Sequence, residues 1–287
     1  MARIDELLAT GRTFSFEFFP PKNDAEQVAL VQALHDLQPL DPSFVSVTYR
    51  GGAASRRRTF DLVTSMLRTT VLTPMAHLIC VAHTRLELAE ILVEYRRAGV
   101  ENLMALGGDP PTEPEAGPGE LAYAEELVAL ARAIGGFSIG VAAHPAGHPR
   151  SPDLASDRRH LARKLAAADF AITQFFFDAD QYLSLVEDLA ARGVDKPVIP
   201  GIMPITALSQ VPRMAQMGGP VPPWLVSRLG GAGDDAASVR ARGIEATAEL
   251  CQRLLSEGAP GLHFYTLNRS TATREVYASL GLDLPAT

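Results

Sequence analysis

Cysteine is nearly missing from this 287-residue chain: Cys80 and Cys251 are the only two, and no C-x-x-C spacing occurs. That argues against a disulfide scaffold and against a cysteine-ligated metal. No apolar run approaches the ~18–20 residues that a membrane helix needs, so no bilayer span is expected. The opening Met1-Ala2-Arg3-Ile4-Asp5-Glu6 lacks the apolar stretch of a signal peptide, which points to the cytoplasm. A basic surplus is missing too. The net charge is −7, and Arg56-Arg57-Arg58 is the one basic run, so a nucleic-acid partner is disfavoured. That triplet suits either a phosphate contact or an exposed first helical turn. Lysine is scarce (Lys22, Lys164 and Lys196 are the only ones), a bias of genome composition that carries no function.

What is present is a large apolar fraction, 47%, with 7% aromatic and 21% charged residues. This is enough for a sizeable core. Short β-like runs alternate with helical segments throughout. The expected strands are Thr13–Phe19, Phe44–Thr48, Ala76–Val81, Asn102–Leu106, Ser138–Ala143, Phe170–Phe175, Val198–Ile202 and Leu262–Tyr265. The expected helices are Ala25–Leu37, Arg57–Thr69, Arg85–Ala98, Glu120–Ile134, Asp157–Ala167, Asp180–Arg192, Leu208–Gln216, Val239–Ser256 and Thr271–Leu280. Regular β-α alternation implies parallel strands joined by helical crossovers. Eight such units in a chain of this length predict an α/β fold, a single (β/α)8 TIM-type barrel, with a doubly wound open sheet as the rival. Neither an internal repeat nor a linker interrupts the rhythm, so residues 1–287 read as one domain.

Residue parity locates the working end of such a barrel. In Phe14-Ser15-Phe16-Glu17-Phe18 the phenylalanines share one side while Ser15 and Glu17 share the other, and Val45-Ser46-Val47-Thr48 splits the same way. The polar inward residue falls at or near the C-terminal end of its strand in each case: Glu17, Thr48, His144 and Gln174. Barrel active sites sit at that end.

Among single residues Glu17 is the sharpest signal. Flanked by Phe16, Phe18 and Phe19, its carboxyl is expected to have a raised pKa and to suit general-acid work, or else to pair with an arginine across the barrel. Asp109, in Leu106-Gly107-Gly108-Asp109-Pro110-Pro111, either orients a polar heterocycle or forms a turn. Two loops stand out, Gly107–Gly119 as a lid, ligand loop or plain connector, and the proline-rich Gly218–Ala237. His77, His83, His144 and His148 invite a metal reading. However, no H-E-x-x-H occurs, and Pro145 interrupts the His144-x-x-x-His148 spacing that a helix would need to bring both rings together. Neither a Walker A loop nor Gly-x-Gly-x-x-Gly after a strand is present, so a dinucleotide would have to bind at the barrel mouth.

The segments Phe14-Ser15-Phe16-Glu17-Phe18-Phe19-Pro20-Pro21-Lys22, Phe44–Tyr49, Ala105–Pro111, Ala171–Asp178, Ile199–Pro204 and His263–Arg269 together resemble the signatures of the 5,10-methylenetetrahydrofolate reductases, in family order over nearly the whole chain. At this length the resemblance implies the catalytic barrel alone, without the C-terminal regulatory domain of the eukaryotic members. The resemblance implies a barrel holding non-covalent FAD at its mouth. NADH or NADPH reduces the flavin and is then replaced by folate, and hydride reaches the one-carbon unit to give 5-methyltetrahydrofolate. Glu17 then matches the family's general acid, which assists opening of the imidazolidine ring, and Asp109 the carboxylate that binds the pterin and tunes the flavin. Gln174, Gln210 and Arg269 match substrate-side positions. Thr48, His77, Gly107, Gly108, Tyr123, Ala124, His144, His148, Asp157 and Lys164 fall at the flavin side.

Four departures mark this chain. Gly107 stands where the family commonly has arginine, Arg50-Gly51 where Gly-Ala is usual, and His144 and Met214 where aromatics are frequent. Loss of the arginine removes a strong charged donor beside the dinucleotide, a role that Arg50 could take over. Three other activities remain open at this level: direct NAD(P)H-to-folate transfer without flavin, a metal-dependent barrel hydrolase using the histidines, and a folate- or flavin-binding protein without turnover. The partners expected are small molecules, and a homo-oligomer is allowed.

Overall fold

A computed structural model describes residues 2–49, 52–109, 119–231 and 235–282. Strands β1 (Thr13–Phe18), β2 (Phe44–Val47), β3 (Pro74–Ile79), β4 (Asn102–Leu106), β5 (Ser138–Ala143), β6 (Phe170–Thr173), β7 (Val198–Ile199), β8 (Gly201–Ile202) and β9 (Gly261–Tyr265) form one sheet in the order β7-β6-β5-β4-β3-β2-β1-β9-β8. Every pairing is parallel. The two ends of that order, β7 and β8, are consecutive in the chain and separated only by Pro200, so the sheet closes on itself. The barrel expected from the alternation is therefore the fold, and the open doubly wound sheet is not.

The closing seam departs from the sequence expectation, because Val198–Ile202 is two short strands rather than one. Pro200 has no N–H to donate to a ladder. Its carbonyl instead accepts from His263 N at 3.0 Å, while Gly201 N–H donates to Thr173 Oγ1 at 2.9 Å and the Tyr265 hydroxyl donates to the Thr173 carbonyl at 2.7 Å. Gly201 has to be glycine here: a Cβ would lie 2.2 Å from the Thr173 carbonyl and 2.6 Å from the Tyr265 ring.

The helices are α1 (Ile4–Thr10), α2 (Asp24–Leu37), α3 (Ala53–Thr69), α4 (Arg85–Arg97), α5 (Ala124–Ile134), α6 (Leu154–Ala167), α7 (Ala179–Ala191), α8 (Val211–Gly218), α9 (Pro223–Gly230), α10 (Ala236–Ser256) and α11 (Thr271–Ser279). Several starts are written in the sequence: Asn23 and Asp153 accept from the N–H three residues on, and Thr84 forms a capping box with Glu87. The segment expected as the loop Gly218–Ala237 contains α9, whose opening prolines suit a first helical turn rather than excluding a helix. Arg56, Arg57 and Arg58 lie in the early turns of α3, which is the helical alternative of the two raised for them. Residues 110–118, most of the other loop, and Arg50-Gly51 lie outside the described residues.

Each strand has two working faces. Phe16, Phe18, Val45, Val47, Leu78, Leu103 and Val141 face the helix layer and form the larger core. The inward residues of the lower barrel, Phe44, Met75, Met104, Phe170, Ile172 and Ile199, pack with Ile4 of α1. Burying such a side chain contributes ~1.5–3 kcal/mol. Gly140 makes room for it, since a Cβ there would meet the Phe170 ring at 2.6 Å. α1 closes the bottom. Ile4 N–H donates to Asn102 Oδ1 at 2.9 Å, Asn102 Nδ2 to the Ala2 carbonyl at 3.1 Å, and Asp5 N–H to Ser138 Oγ at 3.1 Å, all at the starts of β4 and β5.

Candidate active site

Along the same inward faces the chemistry turns polar toward the strand ends. Register pairs Ser15 with His263, and Glu17 with both Ser46 and Tyr265. Halfway up, Ser15 Oγ lies 2.8 Å from His263 Nδ1 and Ser46 Oγ 3.4 Å from its Nε2, so both ring nitrogens meet hydroxyls. Burial, with His77 nearby, holds the His263 pKa down to about 3, and the ring is neutral at working pH.

Two residues further along β1 from Ser15 stands Glu17, 7% exposed. His77 Nε2 lies 3.7 Å from Glu17 Oε2. Burial holds the His77 pKa to about 4, so this is a neutral imidazole beside a carboxyl and not an ion pair. Tyr265 completes the wall. Its ring stands edge-on to His263 at 5.4 Å, and burial followed by the Glu17 charge pushes its hydroxyl pKa well above the usual phenol value. The backbone beneath is fixed by Thr266 Oγ1, which donates to the Glu17 carbonyl at 2.6 Å, and by Asn268. Asn268 has φ +55°; its Oδ1 accepts from Phe19 N at 2.8 Å and its Nδ2 donates to the Phe19 carbonyl at 2.9 Å.

Beside Glu17, just after β2, Thr48 N–H donates to the Phe18 carbonyl at 3.0 Å, while its Oγ1 is buried and has no hydrogen-bond partner among the described residues. His144 and His148 do come together, their rings 4.6 Å apart and edge-on. The expectation that Pro145 keeps them apart fails because a turn, not a helix, joins them: Gly147 (φ +88°) donates from its N–H to the His144 carbonyl at 3.0 Å. Burial first, then the neighbouring His148, holds His144 near a pKa of about 4, and His148 is lowered by burial and by Arg150. Lys164 Nζ donates to the Ala142 carbonyl at 2.7 Å, and burial brings its pKa down to about 8. Ser151 Oγ donates to Asp157 Oδ1 at 2.9 Å. Beneath this loop the fully buried Arg158 holds the Pro145 carbonyl through Nη2 at 2.8 Å.

The remaining candidates divide. Gly108 has φ +87° and leaves no room for a Cβ, which would lie 2.5 Å from Val81 Cγ1; Gly107 has neither constraint. Asp109 is exposed at the edge of the described residues. Tyr123, exposed, and Ala124, buried, sit where Glu126 Oε2 ties down the start of α5 by accepting from Ala122 and Tyr123 N–H. Gln174 Oε1 accepts from Phe175 N at 3.0 Å, and Gln210 Oε1 accepts from Thr206 N at 2.8 Å and Ala207 N at 3.2 Å, so both amides are engaged locally. Arg269 is exposed on the loop after β9. His263 and Tyr265 were not singled out from the sequence, although extending the Glu17 parity across the β1–β9 register would have found them. Among the described residues, no three His, Cys, Asp or Glu side chains gather as a metal site, and no helix is long and apolar enough to cross a membrane.

Comparison with known proteins adds to this geometry. A family model described as methylenetetrahydrofolate reductase matches residues 3–281. The chain is 36% identical over 270 residues to 5,10-methylenetetrahydrofolate reductase of Escherichia coli, covering 93% of this chain and 90% of that one, and 35% identical over the same length to the Pectobacterium carotovorum enzyme. Methylenetetrahydrofolate reductase 1 of Schizosaccharomyces pombe is 33% identical over 277 residues, which is 46% of its length. Among solved structures, a Clostridium thermocellum protein described as binding two copies of 5-methyl-5,6,7,8-tetrahydrofolic acid superposes with a TM-score of 0.67 at 15% identity, covering 98% of this chain and 97% of that one. Oxaloacetate acetylhydrolase superposes at 0.52 and 12% identity, covering 96% and 82%. These two share the barrel architecture alone. With a family match from residue 3 to 281 and more than a third of positions shared with bacterial enzymes over most of both chains, this chain belongs to the methylenetetrahydrofolate reductase family.

Proposed function

We propose that the barrel catalyses reduction of 5,10-methylenetetrahydrofolate to 5-methyltetrahydrofolate, with NADH or NADPH as donor and non-covalent FAD as the intermediary. The observation that carries this reading is the Glu17 carboxyl, inward at the mouth and walled by Tyr265 and a neutral His77. Removing a carboxyl from water favours its protonated, proton-donating form. Glu17 then passes its proton to a nitrogen of the substrate's imidazolidine ring, which opens the ring and leaves an electrophilic carbon to accept hydride. His77 cannot compete for that proton, because burial keeps its ring neutral.

The residues from Thr48 round to the β5 loop fit FAD. Thr48 presents an orphaned hydroxyl, and His148, Asp157 and Lys164 supply the polar and cationic groups that ribose and phosphate take. We assign Gly108, Tyr123, Ala124 and His144 to the same cofactor, with His77 between it and Glu17. When bound, FAD supplies the hydride it has received from the nicotinamide. On the substrate side Asp109 and Arg269 are exposed, whereas Gln174 and Gln210 have their Oε1 atoms taken by backbone N–H groups and would meet folate through their amide NH2 donors.

The test is anaerobic addition of NADH or NADPH with and without methylenetetrahydrofolate, following flavin bleaching and folate-driven reoxidation. Glu17→Gln is expected to leave bleaching intact and to slow reoxidation by ~10²–10⁴-fold, the usual contribution of a positioned acid. Equal reoxidation in variant and parent removes Glu17 from the mechanism. Folate reduction by a parent that binds no flavin replaces this reading with direct transfer.

A further inference from the structure

At Gly107 the chain presents only backbone. The direction a side chain would take from it is open, with no heavy atom within 4 Å, and its φ lies outside the left-handed region. A guanidinium reaches this strip of chain from another loop. Arg150, between β5 and α6, donates from Nη2 to the Gly108 carbonyl at 3.2 Å, and its backbone N–H donates to His148 Nδ1 at 3.1 Å. The first bond ties the β4 loop to the loop that carries the His144–His148 pair, and the second fixes Arg150 within that loop. The Arg150 side chain is exposed, and Nη2 is one of five N–H donors in a fork that matches phosphate oxygens. Its charge also reaches both imidazoles, since after burial it is among the causes that keep them deprotonated.

We propose that Arg150 supplies from the β5 side the guanidinium that grips the diphosphate of the dinucleotide cofactor, over the opening left by Gly107. This rests on the reading that the barrel holds FAD. Arg50 lies outside the described residues, whereas Arg150 already touches Gly108. The phosphate end of the cofactor is thus held across two loops, and loading depends on the distance between them.

The experiment is titration of the purified, flavin-stripped full chain with FAD and, separately, with riboflavin, which shares the isoalloxazine ring and carries no phosphate. Binding is read by quenching of flavin fluorescence, beside melting temperatures. Arg150→Ala is expected to weaken FAD about ten- to a hundredfold, the range for one charged hydrogen bond, and to leave riboflavin affinity and melting temperature unchanged. Arg150→Lys is expected to keep part of the affinity. Adding Gly107→Arg to Arg150→Ala is expected to restore FAD binding at least tenfold, since that position has room for a side chain. Equal FAD affinity in parent and Arg150→Ala overturns the proposal while the flavoenzyme reading stands. So does an equal loss for riboflavin, which would mark Arg150 as a loop fastener only. A parent that takes up neither flavin overturns both.

Discussion

In the lower barrel the inward side chains are Phe44, Met75, Met104 and Phe170, closed from beneath by Ile4. Two or more residues further along the same faces they are Glu17, His77 and Tyr265. Strand direction, twist and helix cover are common to both ends, and only the inward residue type changes. Below, side chains meet each other and the interior is filled. Above, hydroxyl, imidazole and carboxyl groups are held in place by neighbours but leave donors and acceptors facing the opening. One end is therefore built to stabilise the fold, and the other carries polar burial that the first must offset.

Breaking the lower end should have the largest effect on stability. Phe170→Ala removes the ring that Gly140 makes room for, and should cost ~3–5 kcal/mol of unfolding free energy while leaving affinity for FAD, the proposed cofactor, near the parent's at low temperature. Chemical denaturation beside flavin titration checks this. An equal loss of affinity would mean that the two ends are not separable.

The upper end should show itself through pH. His77 and His263 are held down to about 4 and about 3 in the folded barrel, whereas an unfolded chain takes up those protons near pH 6.5. Between these values the unfolded state binds more protons. Stability should therefore fall as pH drops from about 6.5 toward 4, by up to ~1.4 kcal/mol per unit for each ring. His263→Asn should flatten that slope in denaturation curves at pH 7 and 5. A parent whose stability is level across this range would show that neither ring is held neutral by the fold.

The neighbouring glycines at the end of β4 sharpen the comparison within a single loop. Gly108→Ala forces a Cβ against Val81 at positive φ and should cost ~1–3 kcal/mol, whereas Gly107→Ala should stay within ~0.5 kcal/mol. Paired melting curves decide it, and reversed magnitudes would overturn the stated backbone geometry. At the seam a single hydrogen bond is at stake. Tyr265→Phe loses its bond to the Thr173 carbonyl and should cost ~1 kcal/mol by denaturation, and a loss of several kcal/mol would show that the seam depends on this hydroxyl.

Much of the barrel was legible because β-α alternation is a local signal. Asn102–Leu106 and Ser138–Ala143 match their strands end to end. The elements missed depend on tertiary partners. α1 is seven residues long and is held by Asn102 and Ser138, roughly a hundred or more positions away. Pro200 splits the seventh strand because β7 and β8 pair with opposite neighbours. In α9 the prolines read as loop because their count was weighed and their place in the first turn was not. At the site, parity placed Glu17 inward and buried, but stopped short of His263 and Tyr265 on the last strand. The amides of Gln174 and Gln210 show why residue type alone does not assign a ligand contact: each already has a backbone donor to satisfy.

The Asn268 clamp joins residues 249 positions apart in the chain. β1, which carries Glu17, emerges early in synthesis, yet its neighbour β9 is translated near the end. Contacts this remote form late, since a long loop must close before they reward it. A nascent chain thus displays a carboxyl on an open sheet edge, without the wall that gives it chemistry. Ligands that need both sides of the mouth bind only the closed ring, and by mass action draw it from the partly folded pool. If FAD is such a ligand, as proposed, its supply during synthesis would set how much folded protein accumulates.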